Sequence, residues 1–269
     1  MTTPPFTIER PTYSEAEVAE NPWYAIELGV YDILAGIIES RSATSISAAQ
    51  QLNSLFPTNR PQTSAGNEAP ESFLWEFWGI VAKVVAETPL IDFLKALRDL
   101  LDPVELQLEN WGSVKLWADL PLLGPVFREA LDTYQGMNLE AFLARLTQAG
   151  IANWSWLGLV SLHAALEVEP DSRARAYKEQ GPILEASVPR AVIWLEIAGR
   201  KLYEGATERA LRDEKYGSGG NWKGSAGFSQ ERWDYWKKRF SEISVQEQAS
   251  DATKNLAKKG EQIMAGLEN

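Results

Sequence analysis

The sequence predicts an all-α fold, a single multi-helix globular domain with a glycine-rich loop before its last two helices. Three observations predict it. Apolar residues recur at steps of three and four through most of the chain, and capping residues or glycines stand where those patterns start and stop. No convincing run of period-two alternation lies between turn signals. The 269 residues suffice for a full hydrophobic core.

The elements follow in order. Residues 1–20 are rich in Pro and Thr and read as a disordered arm. Asn21 then caps a helix, and Pro22 stands where a missing N–H costs nothing; Ile26, Val30, Ile33 and Ile37 share one face. A shorter helix runs from Ser45 through Ala49 and Leu52 to Phe56, and residues 57–70, full of turn formers, read as a loop. From Phe73 to Val85 apolar side chains point in nearly every direction, which predicts a central, buried helix. Further helices are predicted at 90–101, after Gly124-Pro125, at 138–149 with Gly150 as a left-handed stop, and at 154–168. A charged connection leads to a helix opening at Ser187-Val188-Pro189 and ending near Tyr203. The stretch 217–227 holds five glycines and cannot be a regular element. Ser229 caps a helix carrying Trp233, Trp236 and Phe240; Leu256, Ile263, Met264 and Leu267 mark the last one. The organisation this implies is an arm over 1–20, a helical domain over 21–245, and a C-terminal amphipathic helix over 246–269 packed on it.

Composition removes several chemistries. With no cysteine there is no disulfide scaffold and no thiolate or Cys-ligated metal, and a single histidine disfavours metal sites and Ser–His relays. A net charge of −11 opposes phosphate backbones and anionic lipid surfaces, so neither nucleic acid nor membrane is an expected partner. No segment reaches about twenty apolar residues and the N-terminus lacks a basic and an apolar region, so a cytoplasmic protein is expected. The glycine-rich loop breaks the phosphate-loop spacing, since Lys223 precedes Gly224 and no strand leads in, and no cofactor is expected. Asp99 and Asp102 lack the doubled aspartates that a terpene cyclase needs for magnesium.

The block FLWEFWGIVAKVVAETP, Trp111 followed by WADLPLLGPVFREALD at 117–132, NLEAFLARLTQAGI, LHAALE and AVIWLEIAGRKLYE at 191–204 together span about residues 70–240. They resemble a family of fungal proteins of unknown function, numerous in filamentous ascomycetes. The resemblance implies an all-helical cytosolic protein, sometimes encoded beside secondary-metabolite genes, and carries over no catalytic residue.

Eleven tryptophans are the most informative feature. Trp75, Trp78, Trp117, Trp156, Trp194, Trp222, Trp233 and Trp236 are candidates for lining a site that holds a flat hydrophobic molecule, against the plainer reading of core wedges between helices. Trp222, among glycines, has the place of a lid. His163 lies on an apolar face with a pKa range suited to proton transfer, and Glu76, Asp119 and Glu196 interrupt apolar sequence. These four are the catalytic candidates. Beside each stands a structural alternative: a core hydrogen bond for His163, a solvated stripe for Glu76, a cap on the LPLLGP segment for Asp119, and an ion-pair ladder with Arg200 and Glu204 for Glu196. Two functions follow. One is a cofactor-independent enzyme performing an isomerisation, cyclisation or dehydration on a hydrophobic small molecule. The other is a non-catalytic helical binding or assembly module, for which a homodimer is one possible form.

Overall fold

The computed structural model describes residues 9–39, 44–60, 68–87, 91–100, 104–134, 136–169, 171–207 and 220–268. They form an all-α protein with one small hairpin, and the chain divides into two compact units, Met1–Leu139 and Glu140–Asn269.

In the first unit, α1 (Glu15–Glu20), α2 (Trp23–Glu39), α3 (Ser45–Ser54), a 3₁₀ turn (Pro57–Asn59), α4 (Pro70–Glu87) and α5 (Asp92–Arg98) precede the hairpin β1 (Glu105–Leu108) and β2 (Gly112–Lys115). Then come α6 (Leu116–Asp119) and α7 (Leu123–Thr133), and α8 (Met137–Gln148) crosses the boundary between the units. Helix α4 packs against α2 and α7, and α3 against α2 and α5. Phe73, Leu74, Phe77, Trp78, Val81, Val84 and Val85 on α4 are all buried, as the all-round apolar pattern requires.

The second unit comprises α9 (Ser155–Leu166), α10 (Arg175–Lys178), α11 (Gly181–Thr207), α12 (Gln230–Ile243) and α13 (Asp251–Leu267). Helix α11 packs on both α9 and α13, and α12 on α13. Ser229 and Ser250 cap α12 and α13, their hydroxyls accepting from the backbone N–H of Arg232 and Thr253.

Three features depart from the sequence reading. Within the expected arm, residues 9–20 are structured: Ser14 and Glu17 form a reciprocal capping box, Arg10 pairs with Asp32 at 2.6 Å, and the Tyr13 ring stacks on Tyr24 at 3.9 Å. Residues 1–8 lie outside the described residues, as do 61–67 of the expected loop and 217–219 of the glycine-rich stretch. The strand-free expectation misses the hairpin, in which Leu106 and Leu108 are buried while Glu105 and Gln107 face out. Four residues of alternation are too short to stand out against helical periodicity. Helix α11 begins at Gly181, so Pro189 lies inside it. Pro182 sits at the first turn, where proline is tolerated. Glu185, whose carbonyl loses its donor to Pro189, is exposed to water.

The LPLLGP segment is bent by two leucines in the left-handed region, Leu120 at φ 46° and Leu122 at φ 65°, both buried. Left-handed backbone is costly for leucine, by about 1–2 kcal/mol per residue. Burial of both side chains holds it, together with the hydrogen bond from Trp78 Nε1 to the Pro121 carbonyl at 2.7 Å.

Candidate functional site

Each unit holds buried indoles. In the first unit Trp78 and Trp117 are buried with ring centres 6.3 Å apart, and Phe77 lies 4.8 and 5.4 Å from them. Trp117 donates from Nε1 to Asn53 Oδ1 at 2.7 Å, so both indole N–H groups are satisfied inside the core. Trp75 is half-buried, and the neighbouring Glu76 is exposed on the solvent side of α4. Asp119 is exposed, and its Oδ2 accepts from the backbone N–H of Lys115 at 2.7 Å. Its partner therefore lies before α6 rather than in the LPLLGP segment that follows.

In the second unit Trp194 is wholly buried on α11 and donates to Oε2 of Glu140, which also accepts from Ser161 Oγ at 3.1 Å. Burial raises the Glu140 carboxyl pKa, and the Trp194 and Ser161 hydrogen bonds and the Arg190 charge offset this only in part. Trp233 and Trp236 are also wholly buried, with ring centres 6.4 Å apart. Trp233 Nε1 is a buried donor with no partner. Trp156 is half-buried beside Trp154, at 5.7 Å between ring centres. Trp222 bonds from Nε1 to Ser225 O at 2.9 Å and leans on Tyr235 at 5.4 Å, its ring covering Gly224. Glu196 is exposed on α11 and pairs with Lys259 of α13 instead of Arg200, whose Nη1 donates to the Leu267 carbonyl at 3.0 Å.

His163 leads to the group that the sequence reading missed. Its Nδ1 lies 2.6 Å from Oε2 of Glu167, a wholly buried carboxylate four residues on. Arg232 of α12, itself 1% exposed, grips that carboxylate with Nε at 2.7 Å and Nη2 at 2.9 Å, and Trp236 Nε1 donates to it at 2.6 Å. Each oxygen thus meets two hydrogen-bonding nitrogens. Burial pushes the Glu167 pKa up, but the bonds from Arg232, His163 and Trp236 outweigh it and hold the pKa below the usual carboxylate range. An ionised Glu167 can only accept, so His163 must donate from Nδ1, and the neutral imidazole keeps its lone pair at Nε2. The remaining Arg232 nitrogen donates to Gly227 O at 2.8 Å, and Asn221 N donates to the Glu167 carbonyl at 2.7 Å, which ties the loop before α12 to the end of α9. The only sequence signal for Glu167 is its four-residue spacing from His163 within LHAALE.

Beyond the end of α9 lies a partly open cleft of about 430 Å³, lined by Glu169, Ser172, Tyr177, Arg239, Glu242 and Gln246. Arg239 forms its wall: Nη2 meets Glu169 Oε2 at 2.9 Å, Nη1 bonds Glu242, and Nε donates to the Leu166 carbonyl at 3.3 Å. Gln246 is 9% exposed, and its Nε2 is a buried donor without a partner. Among the described residues, no group of three or more His, Asp or Glu side chains stands close enough to hold a metal ion. None of the described helices is long and apolar enough to cross a membrane.

A family of proteins of unknown function, DUF3632, matches residues 75–240, more than half of the chain. The chain belongs to this family. The DUF3632 match begins at Trp75 and ends at Phe240, so it takes in the buried indoles, His163, Glu167 and Arg232. No curated protein and no solved structure matches the chain.

Proposed function

We propose that this DUF3632 chain is a non-catalytic helical binding module whose ligand seat is the cleft of Glu169, Ser172, Tyr177, Arg239, Glu242 and Gln246. The observation that carries this reading is the buried, unpartnered Nε2 of Gln246 in a residue that lines that cleft. A buried donor left unsatisfied costs about 1–3 kcal/mol, which a ligand oxygen could recover. The aromatic content supports the same reading from the other side. Trp78, Trp117, Trp194 and Trp236 are buried with their Nε1 groups bonded, and Trp233 is buried among Tyr203 and Trp236, so these rings serve as core wedges. The ligand is accordingly polar rather than a flat hydrophobic compound.

One observation favours the enzyme reading: His163 is partly exposed, with a side-chain exposure of 32%, and is oriented by a buried carboxylate, the arrangement that suits an imidazole to act as a general base through Nε2. A thermal-shift screen of chemically varied small polar molecules separates the two. A ligand raises the unfolding temperature of the wild-type chain in proportion to its saturation. The binding reading expects that rise to vanish in Gln246→Met and persist in His163→Asn. Hits indifferent to Gln246→Met, or a hit consumed by wild type and left intact by His163→Asn, would overturn it.

A further inference from the structure

Resting on that reading of the cleft, we infer that its ligand is a small molecule carrying a protonated amine beside an acceptor oxygen, the chemistry of an amino alcohol or an amino-acid amide. The lining specifies both halves. Glu169 and Glu242 face a single guanidinium, and all three Arg239 nitrogens are engaged, by Leu166, Glu242 and Glu169. Arg239 is thus held in place as a wall, its charge shared between two carboxylates. Glu169 uses only Oε2 toward Arg239, leaving Oε1 to take a further donor. Lys238 meets Glu242 Oε1 at 3.7 Å from an exposed position outside the lining. A phosphate or carboxylate entering here would meet two carboxylates in a chain of net charge −11, whereas an ammonium group is drawn in.

Gln246 supplies the second half. Its Nε2 can only donate, so the ligand must offer an oxygen. That atom has no surface of its own to water, so engaging the ligand requires the side chain to turn about its torsions into the cleft it lines. The hydroxyls of Ser172 and Tyr177 can donate or accept and complete the ring of polar groups. A simple amine without an oxygen would leave Gln246 unpaired; a neutral polyol would bring no positive charge to Oε1 of Glu169, whose other oxygen is held by Arg239.

The test uses the full chain labelled at glutamine side chains, titrated by NMR with amino alcohols and amino-acid amides, their N-acetylated counterparts, neutral diols and carboxylic acids. The expected result is saturable movement of the Gln246 side-chain amide by the free amines. Acetylation, which removes the charge without any change to the protein, should weaken binding roughly tenfold or more, and Glu169→Gln should do likewise. Acids or acetylated amines that bind as tightly as the free amines overturn the ligand class while leaving the cleft as the seat. If no compound of any set moves Gln246, the seat falls as well.

Discussion

Glu167 and Arg232 form a two-pronged ion pair with both partners essentially removed from water, Nε and Nη2 lying 2.7 and 2.9 Å from the two carboxylate oxygens. It joins the end of α9 to the first turns of α12, and His163, Trp236 and Gly227 complete its hydrogen bonds. Removing one side leaves an uncompensated charge in the core. Arg232→Met should therefore destabilise the chain by about 3–5 kcal/mol in urea denaturation. The double change Arg232→Met with Glu167→Leu should cost less than the sum of the two single changes, and an additive result would show that the pair is not coupled.

Glu167 and Glu140, both buried, should impose opposite pH dependences. Glu167 has its folded pKa depressed, so its contribution is complete above the unfolded value of about 4.3 and is lost as pH falls through the folded one. Glu140 has its folded pKa raised, so its contribution is complete below about 4.3 and is lost as pH rises through the folded value. Stability measured from about pH 3 to pH 8 should show a shallower acid limb in Glu167→Gln and a smaller decline above about pH 4.3 in Glu140→Gln. Slopes, not absolute levels, carry the comparison, because each substitution also alters hydrogen bonds.

Glycines on helices should divide by what lies above them. A Cβ on Gly158 would sit 3.0 Å from Trp194 Cε3 and 3.3 Å from Leu202 Cδ1, against a ring that is fully buried and bonded to Glu140. The ring cannot give way, so Gly158→Ala should lose about 1–3 kcal/mol despite the gain in helix propensity. A Cβ added at Gly79 on α4 would meet nothing within 4 Å, and Gly79→Ala should gain about 0.5–1 kcal/mol. Thermal denaturation that ranks the two the other way would contradict this packing.

The single histidine gives an unobstructed spectroscopic reading. Nitrogen-15 NMR of the imidazole should show the neutral ring protonated at Nδ1, facing Glu167 Oε2 at 2.6 Å, and Glu167→Gln should shift that tautomer preference. A neutral ring protonated at Nε2 in the wild-type chain would mean that the carboxylate does not orient it.

Much of the fold is legible in the sequence, because long helices announce themselves by caps and period. Asn21, Ser229 and Gly150 each stand at a helix end, as their residue types and neighbours indicate. The hairpin at 105–115 and the start of α11 are not legible: four-residue strands carry too little alternation, and Pro189 mimics a helix start while lying two turns inside one. The site is less readable still. Tryptophan content cannot say whether a ring lines a cavity or fills one, and only the folded chain shows Trp194 on Glu140 and Trp236 on Glu167. The cleft is built from residues such as Glu169, Tyr177 and Gln246, which in sequence look like ordinary surface positions.

Whether the indoles are core and the polar cleft is where a ligand sits can be decided by a single NMR titration that follows the indole Nε1–H and Gln246 side-chain signals together. With a small polar ligand, Gln246 should move to saturation while the Nε1–H signals of Trp78, Trp117, Trp194 and Trp233 stay in place. Movement of those indole signals with Gln246 unchanged would contradict it.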